Sequence, residues 1–120
     1  MDKKKIMICD DDEGIIDVLE MILDEVGHTV ISVNDSLKVQ AAIDQEQPDL
    51  LILDLWMPRL SGQEVLKHLR KHSANNQLKV IVISASRDGE QVAVDAGANQ
   101  FIAKPFDLNN ILESVDALLN

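Results

Sequence analysis

Tyrosine is absent, and Trp56, Phe101 and Phe106 are the only aromatic residues among 120. A core with so few rings must be built from Leu, Ile, Val and Ala. The chain holds one cysteine, Cys9, which excludes an internal disulfide, and its apolar setting reads as a buried thiol in a reducing compartment. No apolar stretch approaches the roughly 18 residues of a membrane-spanning helix. The polar start Asp2-Lys3-Lys4-Lys5 leads into a short strand-like run, without a signal-peptide core or cleavage site. A cytoplasmic location is expected. Basic residues are also scarce: 11 Lys and Arg stand against 21 Asp and Glu, a formal charge of −10. That balance argues against direct contact with nucleic acid or an anionic membrane, both of which need a basic face. Repeats, low-complexity tracts and linkers are missing. The chain is expected to form a single domain over residues 1–120, with no output domain of its own.

What is present is a strict alternation of strands and helices. Strands are predicted over 5–9, 29–33, 50–53, 79–83 and 100–103. Helices are predicted over 13–26, 36–45, 62–71, 88–96 and 108–119. The first helix carries the stripe Ile15, Ile16, Val18, Leu19, Ile22, Leu23 and Val26, and Gly27 suits the position after its end. Asp35 is the expected cap of the second helix, and Pro48 blocks its continuation. Leu50-Leu51-Ile52-Leu53 is the continuous apolar run of a central parallel strand covered on both faces. Five such strand–helix units imply an α/β protein, a parallel sheet with helices on both faces.

Charged residues stand where the buried strands end. Asp10, Asp11 and Asp12 follow the first strand, Asp54 closes the third, and Lys104 follows the fifth. In open α/β sheets that carboxyl edge is where ligands bind. Carboxylates and an ammonium converging there point to a hard cation and a phosphoryl group. Asp12 is read apart from the others, as a helix cap. His68 and His72, four apart on one helix face, lack a third ligand and are read as inert; His28 is expected to begin a strand.

Taken in order, Asp10-Asp11, then Leu53-Asp54-Leu55-Trp56-Met57-Pro58 with Gly62, then Ser84-Ala85, then Lys104-Pro105-Phe106, the chain resembles the receiver domains of two-component response regulators. The resemblance covers essentially the whole chain. It implies the doubly wound, flavodoxin-like (βα)5 fold with strand order 2-1-3-4-5. It implies a signalling switch in which Asp54 accepts a phosphoryl group from a sensor histidine kinase or a histidine phosphotransfer protein. Mg²⁺ is the implied cofactor, with Mn²⁺ as a substitute. Asp11 and Asp54 would be direct ligands, Asp10 would act through water, and Trp56 would add its backbone carbonyl. Lys104 and Ser84 would contact the phosphoryl group. Ser84 and Phe101 would relay the change to a downstream protein, with the chain a monomer or a phosphorylation-dependent homodimer.

Three departures from the family pattern carry expectations of their own. Phe101 replaces the commoner Tyr, so the ring has no hydroxyl to present to water and is expected to lie inward even before phosphorylation. Trp56, beside the path of attacking water, is expected to slow loss of the phosphoryl group, with Ser86 placed to orient that water. The segment 84–98 is about two residues short. Each residue turns a helix by about 100°, so the fourth helix is expected to be stunted or displaced.

Other readings of the same residues fare worse. Phosphatases with an aspartate nucleophile need a second acid two residues on, where Trp56 stands. A flavin-binding module of similar topology needs a phosphate loop after the first strand, where three Asp residues would repel a phosphate. A degenerate, binding-only receiver conflicts with the filled charged positions. The remaining alternative is the amino-terminal receiver of a longer regulator, such as a transcription factor.

Overall fold

The computed structural model describes residues 3–71 and 76–120. Five parallel strands, β1 (Lys5–Cys9), β2 (Thr29–Val33), β3 (Leu50–Asp54), β4 (Lys79–Ser84) and β5 (Gln100–Ala103), form one sheet in the order β2-β1-β3-β4-β5. Five helices connect and follow them: α1 (Glu13–Glu25), α2 (Val39–Glu46), α3 (Gly62–Lys71), α4 (Gly89–Ala96) and α5 (Leu108–Leu119). The fold is the doubly wound (βα)5 arrangement expected from the sequence.

Alternation along each strand sorts the core into two layers, because successive side chains point to opposite faces. Ile6, Ile8, Leu50, Ile52, Ile81, Ile83 and Ile102 meet α1 and α5 on one face. Met7, Cys9, Leu51, Leu53, Val80 and Val82 meet α2, α3 and α4 on the other. β3 is buried at every position, as a central strand covered on both sides should be. Its last residue is Asp54, so the strand runs one residue past the predicted end and carries the carboxylate on its terminal pleat. β4 likewise extends to Ser84.

Of the predicted α1 stripe, Ile16, Leu19, Ile22 and Leu23 are buried, whereas Val18 and Val26 are partly open to solvent. Asp12 caps this helix, accepting from the N–H groups of Gly14 and Ile15. The second helix departs from prediction. Residues 36–38 form a 3-10 turn, capped by Asp35, before α2 begins. The cause lies in Ser36: its buried hydroxyl donates to the Pro58 carbonyl and accepts from the Leu60 N–H, which tightens this turn against the loop after β3. His28 precedes β2 and is buried, its Nδ1 accepting from the Lys4 N–H.

α4 spans 8 residues, as does α2, against 13, 10 and 12 for α1, α3 and α5. Arg70, near the end of α3, holds its far end. Nε donates to the Gly97 carbonyl at 2.9 Å, Nη1 to Leu78 at 2.7 Å and to Asn76 at 3.2 Å, and Nη2 to the Asn99 side chain at 3.1 Å. Among the described residues no helix is long and apolar enough to cross a membrane. His68 lies on the exposed side of α3, and His72 falls outside the described residues.

Candidate functional site at the carboxyl edge of the sheet

The ends of β1 and β3 bring three acids together. Ligand oxygens of Asp10, Asp11 and Asp54 all lie within 4.8 Å of one another. Asp10 is fully buried, Asp54 is 6% exposed and Asp11 is open to solvent. Such a set, all oxygen and densely negative, matches the donors a hard divalent cation takes, with its exposed side left for water. The residues therefore fit a Mg²⁺-type ion.

Asp10 is committed on both oxygens. Oδ1 accepts from the Asp12 N–H at 2.9 Å, and Oδ2 lies 3.2 Å from Lys104 Nζ. The same ammonium lies 3.4 Å from Asp54 Oδ1. Lys104 is itself tied to β4, its backbone N–H donating to the Ser84 carbonyl at 2.9 Å. The Lys104–Pro105 peptide is cis. Burial, and then the charge of Asp10, push the Asp54 carboxyl up to about 6, with Lys104 pulling the other way and Asp11 adding a smaller push. Two like charges at short range disfavour full ionisation unless a cation is near. Cys9 lies behind this edge. Burial and the neighbouring carboxylates push its thiol up to about 12, and its Sγ donates to Met57 Sδ, so it is a packing residue.

Ser84 closes β4 and is 1% exposed. Its Oγ accepts from the Ser86 N–H at 3.0 Å, and the Ser86 hydroxyl in turn accepts from the Asp88 N–H at 3.3 Å. Phe101 lies two residues before Ala103, the register partner of Ser84, on the same sheet face, and its ring packs against the core shared with α4. Trp56 follows β3 in irregular backbone, with its indole 49% exposed at the rim.

The fold shows how three further residues support the site. Gly62 opens α3 directly under the Asp54 backbone, and a β-carbon there would stand 2.1 Å from the Asp54 carbonyl oxygen. Ser36 braces the loop after β3 from the other side. Arg59, in the left-handed region at φ 73°, pairs with Asp35 at 3.2 Å and ties the same loop to the β2 end. Gly62 stood in the sequence motif without a visible reason; Ser36 and the Asp35–Arg59 pair gave no sequence signal, because their partners are more than twenty residues away.

Comparison with known proteins places this geometry. Residues 6–116 match the response regulator receiver domain family. Response regulator MprA of Mycobacterium ulcerans is 39% identical over 118 residues, covering 96% of this chain and 50% of that protein. The DNA-binding dual master transcriptional regulator RpaA of Synechocystis is 36% identical, covering 96% of this chain and 48% of that protein. The chain thus spans about half the length of these relatives. Among solved structures, the receiver domain of a Francisella response regulator superposes with a TM-score of 0.89 at 27% identity, covering 98% of this chain and 97% of that one. NtrX of Brucella abortus superposes with a TM-score of 0.87 at 31% identity, covering 98% of this chain and 27% of that one. With a five-stranded 2-1-3-4-5 sheet, a carboxylate cluster able to hold a metal ion and a family match over nearly its whole length, the chain belongs to the response regulator receiver domain family.

Proposed function

We propose that the chain is a switch of two-component or phosphorelay signalling in which Asp54 accepts a phosphoryl group from a phosphohistidine on a sensor kinase or phosphotransfer protein. The observation that carries this reading is the pairing of Asp54 with Lys104 beside Asp10 and Asp11, at the carboxyl end of the central strand. An Asp54 carboxylate oxygen attacks phosphorus in line. The P–O bond forms as the P–N bond to imidazole breaks, and the electron pair leaves with the ring nitrogen. The product is an acyl phosphate on Asp54. Positioning and charge neutralisation are the whole of the protein's task in such a transfer.

Asp11 and Asp54 would hold the cation directly and Asp10 through water, with the Trp56 carbonyl as a further ligand. Mg²⁺ suits this set, and Mn²⁺ is the expected substitute. When bound, the ion neutralises charge shared between the carboxylates and the phosphoryl oxygens. Lys104 pairs with one phosphoryl oxygen as a point charge, and the Ser84 hydroxyl donates to another. The chemistry ends on the protein's own side chain, so self-phosphorylation and self-dephosphorylation replace turnover of an outside substrate. The buried single thiol agrees with a cytoplasmic site of action.

Incubation with acetyl phosphate and Mg²⁺ tests the reading by intact-mass spectrometry, with Asp54→Ala as control. One added phosphoryl group in the wild type and none in the variant is expected. An unmodified wild type removes the central claim.

A second reading concerns output. The relatives are about twice as long, and one is named as DNA-binding. Residues 1–120 as one receiver unit would then act either through a separate partner protein or as the amino-terminal part of a longer regulator such as a transcription factor. An antibody raised against this chain distinguishes the two by the size of the native protein on an immunoblot.

A further inference from the structure

Gly89 opens α4 and is buried. Its backbone is not in the left-handed region, so no turn demands a glycine there. Helix propensity does not favour one either, since glycine is the poorest helix former after proline. The reason lies in what surrounds it. A β-carbon built on Gly89 would stand 3.0 Å from Phe101 Cε1, 3.1 Å from Phe101 Cζ and 3.0 Å from Ser84 Oγ. All three are tighter than ordinary contact. The space a side chain would occupy is therefore taken, on one side by the Phe101 ring and on the other by the Ser84 hydroxyl.

The Phe101 ring is held at this point by the shape of the fold alone. It has no hydroxyl to bring back to water, and inward it packs against the apolar layer under α4. The loop between β4 and α4 is also wired to the same point. Ser84 Oγ accepts from the Ser86 N–H, and the Ser86 carbonyl accepts from the Gly89 N–H at 3.2 Å. A displacement of Ser84 is thus handed directly to the first turn of α4.

We propose that Gly89 is a positioning residue: by having no side chain it seats the Phe101 ring against Ser84 in the unmodified protein, so that modification is read by the β4–α4 loop and not by rotation of the ring. The last clause rests on Asp54 being the phosphoacceptor; the seating of the ring does not.

The test labels both phenylalanines with 4-fluorophenylalanine and follows them by ¹⁹F NMR, with Phe106→Leu to assign the Phe101 signal. Phe101 is half-buried, so in wild type its single signal shows only a small shift between H₂O and D₂O. It stays in place when acetyl phosphate and Mg²⁺ are added. In Gly89→Ala a second, solvent-sensitive Phe101 signal appears. Urea unfolding supplies an independent readout. Gly89→Ala lowers the midpoint by more in the wild-type background than in Phe101→Ala, where the ring is gone and only the Ser84 contact opposes the better helix former. A Gly89→Ala chain that folds only with Phe101→Ala supports the same conclusion.

The proposal is overturned if Gly89→Ala keeps a single Phe101 signal at the wild-type position, or if its midpoint shift is the same size in both backgrounds. A wild-type ring that is exposed and turns inward only on phosphorylation also overturns it. Intact mass on the same samples keeps the two readings apart. A phosphorylated wild type with an indifferent Gly89→Ala defeats the seating alone. An expelled ring in Gly89→Ala, with no phosphoryl mass on the wild type, supports the seating and defeats the acceptor role of Asp54.

Discussion

Lys104 Nζ lies 3.2 Å from Asp10 Oδ2, although 94 residues separate the two in sequence and two strands, β3 and β4, stand between the strands that carry them. The ammonium cross-braces the carboxyl edge and serves Asp54 from the same position, at 3.4 Å. Asp10 has no exposure to water, so its charge depends on this partner and on the Asp12 N–H.

Lys104→Met leaves that buried carboxylate without its cation. Breaking one side of a buried pair costs about 3–5 kcal/mol. Lys104 retains some exposure, which discounts the loss to about 2–3 kcal/mol at pH 7 in urea unfolding. The substitution also removes the pull that holds Asp54 down, so labelling by acetyl phosphate falls at least tenfold. Wild-type labelling in Lys104→Met contradicts this.

Asp54→Asn has the opposite effect on stability. A carboxyl raised to about 6 in the folded chain binds its proton more tightly than the unfolded chain does. Folding is therefore favoured below about pH 4, and stability is lost as pH rises through the window from about 4 to about 6. Without metal, Asp54→Asn gains roughly 1–3 kcal/mol at pH 7 and almost nothing at pH 4. Urea titrations in EDTA at both pH values check this, and equal stability at pH 7 contradicts it. Mg²⁺ at a hundred times its dissociation constant returns about 2.7 kcal/mol to the wild type. The variant, with a weakened site, recovers less.

Gly62→Ala drives a β-carbon into the backbone of the central strand, 2.1 Å from the Asp54 carbonyl oxygen and 2.8 Å from Leu55 Cα. No rotamer change relieves a clash with main chain. A loss of about 3 kcal/mol or more is expected, together with a weaker response of Trp56 fluorescence to Mg²⁺. An unchanged urea midpoint rules this out.

Trp56→Asn exchanges a half-exposed indole at the rim for a small polar group. Water then reaches the acyl phosphate more freely, and the phosphoryl mass decays several times faster than in wild type. Decay that is unchanged or slower in the variant shows that the indole does not screen the site.

The strands and helices were legible because each strand is a short apolar run and each helix a 3.6-residue stripe; the strand order 2-1-3-4-5 followed from the family resemblance. Both patterns survive in sequence whatever the tertiary partners are. The gathering of Asp10, Asp11, Asp54 and Lys104 was legible for a related reason: parallel strands put all their carboxyl ends on one edge. What escaped the sequence depended on side chains reaching across that edge. Ser36 looked like the start of a helix until its hydroxyl met Pro58, and that contact converted the first turn to 3-10. Gly89 gave no signal within the predicted helix 88–96, because Phe101 and Ser84, which crowd its missing side chain, come from two separate strands. The expectation of a stunted or displaced fourth helix came from the family resemblance, and at 8 residues α4 equals α2 in length. Its anchorage gave no sequence signal, since Arg70 binds carbonyls on two other segments.

That anchorage makes α4 a lever. Moored by the Arg70 guanidinium at Gly97, a rod about 12 Å long pivots at one tip and receives its input at the other. A displacement arriving from Ser84 enters at the Gly89 end, so the exposed Glu90–Gln91 turn is expected to move farther than exposed Val94, which lies nearer the Gly97 anchor. A partner that reads such a movement is expected to respond to substitutions at Glu90 and Gln91 more than to one at Val94.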